Sequence, residues 1–563
     1  MTVARLALAV VFLCATAWAE TAAPKTNARP TSGDRIANAA RLVRVSGAHS
    51  PAALARPPGA QKEVPMQEYK LYIDGQFCDA EGGRTVDSIN PATEEPWARV
   101  SRATRADTQR AIAAARRAFD EGPWPRVSQA DRKKILNQIA DGLEARSQEI
   151  AAVETQDSGG TIRKTSGDMM LGAAQLRYFA EMAEQLPLLE EIKVPQFPAQ
   201  STNYLQREPI GVCGQIIPWN FPLMMAVWKI GPALCTGNTL VLKPASDTPC
   251  SALELAKIID QTDLPKGVVN VVHGSGAECG EELCTSALVD KVALTGSTEV
   301  GRRVQQLASG TIKKVTLELG GKSANIILDD ADLEMAVDGS LFGCFFHQGQ
   351  ACESGTRLFV SERLHDDVIA RLVERTKTLT IGDPMDFGTA QGPLISARQR
   401  ETVLGYIKAG VDAGAKVAIG GKRPEDLPKG YYVEPTIFVD VKNNMKIAQE
   451  EIFGPVLVVI RYKNIDDAIR MANDSIYGLG GAVWSRDKAK ALEVAKQMRT
   501  GTVWVNDYHL LSVAAPFGGY KQSGIGREFG LEGILEYTEV KHVHVDQVDN
   551  RASKFWYGAL FGA

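Results

Sequence analysis

"TLVLKPASDTPCSALELAKIID", residues 239–260, decides the fold. Its first five residues form a short β-rich run, and Lys243-Pro244 ends it. Ser251 and Glu254 then stand in S-x-x-E spacing, a capping box expected to open a helix over "SALELAKIID". The same alternation continues outward. "GVVNVV" (267–272) reads as a strand, the stretch with "ECGEEL" (278–283) as helix, and "KVALTG" (291–296) as a third strand. "TEVGRRVQQLA" (298–308) is helical again, and "KKVTLEL" (313–319) is a fourth strand. Strands joined by helices of this length need right-handed crossovers, so the sheet is expected to be parallel. Ligands of such sheets bind at the carboxyl ends of the strands.

Upstream, "YKLYIDGQF" (69–77) and "RTVDSINPATEEPWARV" (84–100) read as short strands with Asn90-Pro91 turn chemistry. Two amphipathic helices follow, with Ile112, Ala115 and Phe119 on one face of the first and Ile135, Ile139 and Leu143 on one face of the second. Downstream, "SANIILDD" (323–330) and "TRLFVSE" (356–362) read as strands of a second α/β region, and "HDDVIARLVERTKTL" (365–379) as helix. No repeat of solenoid length recurs.

The chain has 563 residues, which predicts two or three domains. It is 44% hydrophobic and 23% charged with a net charge of −4, so it carries no electrostatic footprint for nucleic acid or an anionic membrane. Nine cysteines form no CxxC pair, and seven histidines form no HExxH, so neither a disulfide framework nor a metal site is expected.

Residues 1–66 differ from the rest. Arg5, an apolar run from Leu6 and Ala17-Trp18-Ala19 make a secretory-signal pattern, too short for a stable membrane span. Phe12 and Leu13 before Cys14 do not match a lipoprotein site. An Ala-, Arg-, Ser- and Pro-rich stretch follows, with Asp34 its one acid as far as Gln61, and it resembles an organelle transit peptide. Two-step import into an organelle lumen, plastid or mitochondrion, is the favoured reading. A secreted or periplasmic protein with a spacer is the alternative.

Four segments carry chemistry. In "FFHQGQACESGTR" (345–357) a single thiol, Cys352, sits in a glycine-flanked turn before a strand, where a nucleophile can meet a substrate. In "LELGGK" (317–322) Glu318 ends a strand before two glycines, which suits a general base and equally a surface loop. In "TGSTEVG" (295–301) Gly296, Ser297 and a helix start offer donors to a phosphate, though an ordinary βα turn has the same spacing. In "IIPWNFPLMMAVWK" (216–229) Asn220 lies in an apolar, proline-bracketed turn and must aim its amide at something, an oxyanion or the turn itself.

"PWNFP", "LVLKPAS", "TGSTEVG", "LELGGK", "GQACESG", "EEIFGP" and "PFGGYKQSGIGRE" stand in the order and spacing of the aldehyde dehydrogenase superfamily, which residues 69–545 resemble. The resemblance implies that Cys352 attacks the aldehyde carbon, giving a thiohemiacetal and then a thioester. The Asn220 amide and the Cys352 N–H would hold the oxyanion, and Glu318 would activate water. Lys229 and Glu528 would relay its proton. Gly349 and Gly355 would let backbone approach cofactor and substrate. Ile216, Ile217, Pro218, Trp219, Lys243, Ser246, Gly296, Ser297, Val300, Gly301, Gly320, Glu451 and Phe453 would bind NAD or NADP. Phe221, Trp228, Phe346 and Phe517 match substrate-pocket positions, with Tyr508 and His509 at the entrance. The aldehyde stays open: aliphatic, aromatic or betaine-type.

The implied fold is α/β. A Rossmann-like cofactor domain would cover 67–193 and 210–320, and an α/β catalytic domain 321–525. A small β oligomerisation arm would cover 194–209 and 538–548, leaving a tail of 549–563. Dimers or tetramers follow from the arm. Two departures are visible: His347 where many members carry asparagine, and Ser246 where NAD-preferring members often carry an acid. A CoA-acylating relative usually lacks the glutamate matched by Glu318. A thiol esterase would leave Lys243 and Glu451 without purpose, and a non-catalytic relative would tolerate loss of thiol or base.

Overall fold

The structure, a computed structural model, describes residues 66–195 and 200–562. The signal-like and transit-like stretches, Cys14, and part of the proposed arm at 196–199 lie outside the described residues.

The opening stretch lies at the centre of an eight-stranded sheet. Its order is Gly524–Ile525, Lys314–Glu318, Lys291–Thr295, Val212–Ile216, Thr239–Lys243, Val269–Val271, Leu71–Ile73 and Gln76–Cys78. The five strands from Lys314–Glu318 to Val269–Val271 are parallel, and the edges are antiparallel. The chain runs outward from Val212–Ile216 to Val269–Val271, then returns to lay Lys291–Thr295 on the other side of Val212–Ile216. The crevice of such a sheet opens at that reversal, outside Ile216 and Thr295.

Alternation explains why these strands lie flat between two helical layers. Leu240 and Leu242 join one core with the helices Gln129–Ala145, Ile162–Gln185, Pro222–Cys235 and Cys250–Ile259. Val241, between them, points to the opposite core with Arg105–Asp120 and Thr298–Ala308. All three are fully buried, so truncating Leu242 to alanine costs about 2–5 kcal/mol.

The capping box expected at Ser251 and Glu254 does not form. The helix begins at Cys250, whose N–H is satisfied by Asp157 Oδ2 at 2.9 Å, so Ser251 is already inside the first turn. Glu254 instead receives Arg146 at 2.6 Å and Lys257 at 2.8 Å. A cap supplied from ninety-odd residues away leaves no local signal. A true capping box joins Thr104 and Asp107 at the head of Arg105–Asp120.

A second sheet runs Lys416–Ile419, Thr436–Val439, Val456–Tyr462, Arg357–Ser361, Ala324–Ile327, Gly480–Trp484 and Thr502–Val505, parallel except at its first edge. Gly524–Ile525 then pairs with Lys314–Glu318, so the chain has returned to the first sheet before residue 525. A three-stranded sheet stands apart: Thr538–Asp546 pairs antiparallel with Ser201–Pro209, which pairs with Leu189–Ile192. The arm therefore begins at Leu189, earlier than the expected 194; "LEEI" lacks the apolar alternation that would have marked it. Among the described residues no helix is long and apolar enough to cross a membrane.

Candidate active site

Cys352 lies between the helix Leu333–Phe345 and the strand Arg357–Ser361. His347, Gln348 and Gly349 take successive φ values of 50°, 56° and 69°. Two non-glycine residues in the left-handed region cost roughly 1–2 kcal/mol each, a strain of the kind stored at functional turns. The flanking glycines serve the protein itself. A Cβ on Gly349 would stand 2.2 Å from the Gly454 carbonyl oxygen, and one on Gly355 would stand 2.7 Å from the Tyr508 ring. They permit close packing of the turn against Gly454 and Tyr508.

The Cys352 sulfhydryl donates to Glu353 Oε2 at 3.2 Å. Burial, reinforced by the Glu353, Glu451 and Glu318 carboxylates, pushes the thiol well above its ordinary range. Asn220 Nδ2 donates to the Gln350 carbonyl at 2.8 Å, two residues before the nucleophile. An amide carries two hydrogens, and this bond uses one, so the other remains for an oxyanion beside Cys352.

Glu318 closes the strand Lys314–Glu318 and is buried. Among the described residues neither of its oxygens has a partner. Burial, then the Glu528 charge, holds this carboxyl well above the usual range. A buried carboxyl with no bond partner is the arrangement expected of a base awaiting water. Close by, Lys229 Nζ meets Glu528 Oε1 at 2.5 Å in a fully buried pair.

The positions matched to cofactor binding gather at the carboxyl ends of the first sheet. Ile216 ends its strand, and Ile217 N–H donates to the Lys243 carbonyl at 3.1 Å. Gly296 N–H donates to the Glu318 carbonyl at 3.0 Å. Ser297 caps the helix Thr298–Ala308 through Val300 N–H, and Val300 is exposed in its first turn. A Cβ on Gly301 would come within 2.6 Å of Leu319, so glycine sets the helix against the strand. Lys243 is buried, its ammonium bonded to the Pro244 carbonyl at 3.1 Å, and burial lowers its proton affinity. From the second sheet's side, Glu451 Oε1 accepts from Gly321 N–H at 3.0 Å, and burial raises this carboxyl to about 7. Trp219 and Phe453 meet edge to face at 5.1 Å, and Phe453 has a φ of 56°. A glycine-lined cradle, a helix start and a buried ammonium with one carbonyl partner fit the phosphates and ribose of a dinucleotide. Ser246 is exposed nearby.

The four aromatic positions separate into two pairs. Phe221 and Phe346 are half-buried and 6.2 Å apart. Trp228 and Phe517 are buried in the helical core, where Trp228 packs on Phe529 at 4.2 Å. Trp228 and Phe517 are thus interior, while Phe221 and Phe346 are partly open. Tyr508 is no entrance residue: it is buried, and its hydroxyl donates to the Glu353 carbonyl at 2.9 Å.

Sequence reasoning missed two groups. Glu353 is bonded to His509, 156 residues away, at 2.9 Å. Lys164, in an unread helix, donates to the Asn220 carbonyl at 3.0 Å and stands 4.0 Å over the Phe221 ring. It also pairs with Asp168 at 2.7 Å. The only local signal was a charged residue directly after the thiol.

A thiol, an amide donor bonded two residues before it and a partnerless carboxyl at a dinucleotide crevice are the parts of a dehydrogenase working through a covalent acyl intermediate. The Aldehyde dehydrogenase family model matches residues 77–543, and the chain belongs to that family. It oxidises an aldehyde to the carboxylic acid with a nicotinamide dinucleotide. It is similar to a betaine aldehyde dehydrogenase of Bacillus subtilis, with 47% identity over 476 residues, 84% of this chain and 96% of that one. It is 43% identical over 492 residues to aldehyde dehydrogenase 1A1 of Gallus gallus, covering 87% of this chain and 95% of that one. An NAD+ complex of an aldehyde dehydrogenase from Bacillus cereus matches with a TM-score of 0.83 and 44% identity, over 86% of this chain and 97% of that one. A betaine aldehyde dehydrogenase from Staphylococcus aureus bound to NAD+ matches with the same TM-score and 41% identity, over 86% and 96%.

Proposed function

We propose that Cys352 is the nucleophile and Glu318 the hydrolytic base of this dehydrogenase, acting on an aldehyde with an apolar body. The buried, partnerless Glu318 carboxyl at the end of the strand Lys314–Glu318 carries the reading. The Cys352 sulfhydryl gives its proton to water, and the sulfur bonds to the aldehyde carbon as the C=O pair moves to oxygen. The Asn220 amide and the Cys352 backbone N–H stabilise the oxygen that becomes anionic. When bound, the nicotinamide dinucleotide accepts the hydride. Cys352 then carries the acyl group as a thioester; water bonds to its carbon as Glu318 takes the proton, and the C–S bond breaks to release the carboxylic acid and the Cys352 sulfur. Lys229 and Glu528 pass that proton onward through the buried interior. Phe221 and Phe346 supply the apolar wall for the substrate body, which suits aliphatic and aromatic aldehydes and, by cation–π contact, a quaternary ammonium one.

Replacing Cys352 with alanine tests the assignment. The variant should lose turnover, followed at 340 nm, while still binding NAD+ in a titration. Turnover within tenfold of the native enzyme would refute it.

Three finer readings go with this one. NADP+ is accepted alongside NAD+, because Ser246 stands where an acidic side chain would repel a 2′-phosphate; the cleft of about 320 Å³ that it lines holds Arg102, and against it Asp247 and Asp87. The three-stranded arm, with Val540 and Leu189 exposed, joins copies into dimers or tetramers, which light scattering on the purified chain would reveal. Residues 1–66 act as a targeting segment, with an organelle lumen favoured over secretion. Sequencing the mature N-terminus and tracking a fluorescent fusion of the segment distinguish the two.

A further inference from the structure

We propose that Glu353, held by His509, is a positioning residue that keeps the Cys352 sulfhydryl hydrogen-bonded and protonated in the substrate-free enzyme; this rests on Cys352 being the nucleophile.

The geometry is a chain of three groups. Cys352 Sγ donates to Glu353 Oε2 at 3.2 Å, and Glu353 Oε1 meets His509 Nδ1 at 2.9 Å. An ionised carboxylate only accepts, so Nδ1 carries the hydrogen. The carboxylate is thus bound on one side by a ring N–H and on the other by the nucleophile.

Each member is fixed. Tyr508, next to His509 in the chain, donates its hydroxyl to the Glu353 main-chain carbonyl at 2.9 Å. The His509 ring is wedged among Phe342, Phe346 and Tyr508, with centroids at 5.3, 5.3 and 5.0 Å. His509 takes a φ of 64°, a left-handed conformation that the surrounding rings must hold. Its Nε2 is buried without a partner among the described residues, so the ring's only bond is the one to Glu353.

Three acidic side chains bear on the sulfur. Glu318 comes from the end of the strand Lys314–Glu318, Glu451 from the segment before Val456–Tyr462, and Glu353 from the turn itself. Glu353 differs from the other two in being bonded to the thiol and in being kept ionised despite burial, chiefly by its bond to His509. A fixed anion at bonding distance accepts an S–H and repels a thiolate. The enzyme therefore rests with its nucleophile in the unreactive form, where oxidation and alkylation are slow. Attack on the aldehyde requires the sulfur to leave this acceptor.

The test uses the full chain without cofactor. Iodoacetamide alkylation of Cys352 is followed by peptide mass spectrometry from pH 6 to 10 in the native enzyme, Glu353→Gln, Glu353→Ala and Glu353→Asp. The Gln and Ala variants should move the alkylation midpoint down by about one pH unit, so that alkylation below it is about tenfold faster. The Asp variant, which keeps the charge, should stay within a few-fold of native. An unmoved or raised midpoint in both neutral variants, with Cys352→Ala inactive, overturns this inference alone. An active Cys352→Ala enzyme overturns the nucleophile assignment and this inference with it.

Discussion

Gly320 and Glu451 touch across the crevice: a Cβ on Gly320 would stand 2.1 Å from Glu451 Oε2. The first residue follows the first sheet's strand Lys314–Glu318, and the second precedes Val456–Tyr462 of the other sheet. Gly320→Ala should therefore displace the Glu451 carboxylate, the group matched to the nicotinamide ribose. The expected result is a KM for the dinucleotide raised about tenfold, ~1.4 kcal/mol, with kcat changed less. Steady-state kinetics with circular dichroism as a folding control checks it, and an unchanged KM would count against Glu451 as a cofactor ligand.

Glu318→Gln keeps the shape of the buried side chain and removes the base. Steady-state turnover should fall on the order of 10²-fold or more. Rapid mixing should then show a burst near one NADH per active site as the thioester accumulates. Burial raises both Cys352 and Glu318 above their ordinary ranges, so native activity should rise with pH as each gives up its proton. No burst and an unaltered rate would make Glu318 structural.

Ser246→Glu places an anion near the ribose end of the crevice. It should lower the kcat/KM ratio of NADP+ to NAD+ by about tenfold, since repulsion of a 2′-phosphate acts on one cofactor only. An unmoved ratio, or a native enzyme with no NADP+ turnover, removes Ser246 from the choice.

Lys322 predicts a stability effect with a defined sign. It is buried, its Nζ has no partner among the described residues, and burial lowers it to about 7. Between that value and the ordinary lysine range the unfolded chain binds the proton and the native chain does not. The lysine is therefore fully destabilising at and below about pH 7, and the penalty fades as pH climbs toward 10. Lys322→Met should raise Tm by several degrees at pH 7 and by much less at pH 9.5, read by scanning calorimetry. An equal gain at both values contradicts the account.

The legible part of this molecule was its local chemistry. The alternation of Leu240, Val241 and Leu242 is a period-2 signal, and it places them in opposite cores as the pattern demands. Cys352 in its glycine-flanked turn stood out for the same reason. The partner of Glu353 was not legible, because 156 residues separate it from His509 and neither carries a local pattern. The failed cap at Ser251 has the same origin: Asp157 reaches Cys250 N–H through the tertiary fold. The aromatic positions were less legible. Trp228 and Phe517 share composition with Phe221 and Phe346, and only the packing on Phe529 shows which pair is interior.

Cys352 arrives from the segment that leads into one sheet, while Glu318 finishes a strand of the other. Neither half of the polypeptide, expressed alone, owns a complete reaction centre. Chemistry is a property of the join, so two inert fragments cut between residues 322 and 324 should regain activity only on reassociating. Both halves also contribute to each binding task, Lys243 with Glu451 and Phe221 with Phe346, so a change on either side of the join should be felt by the other.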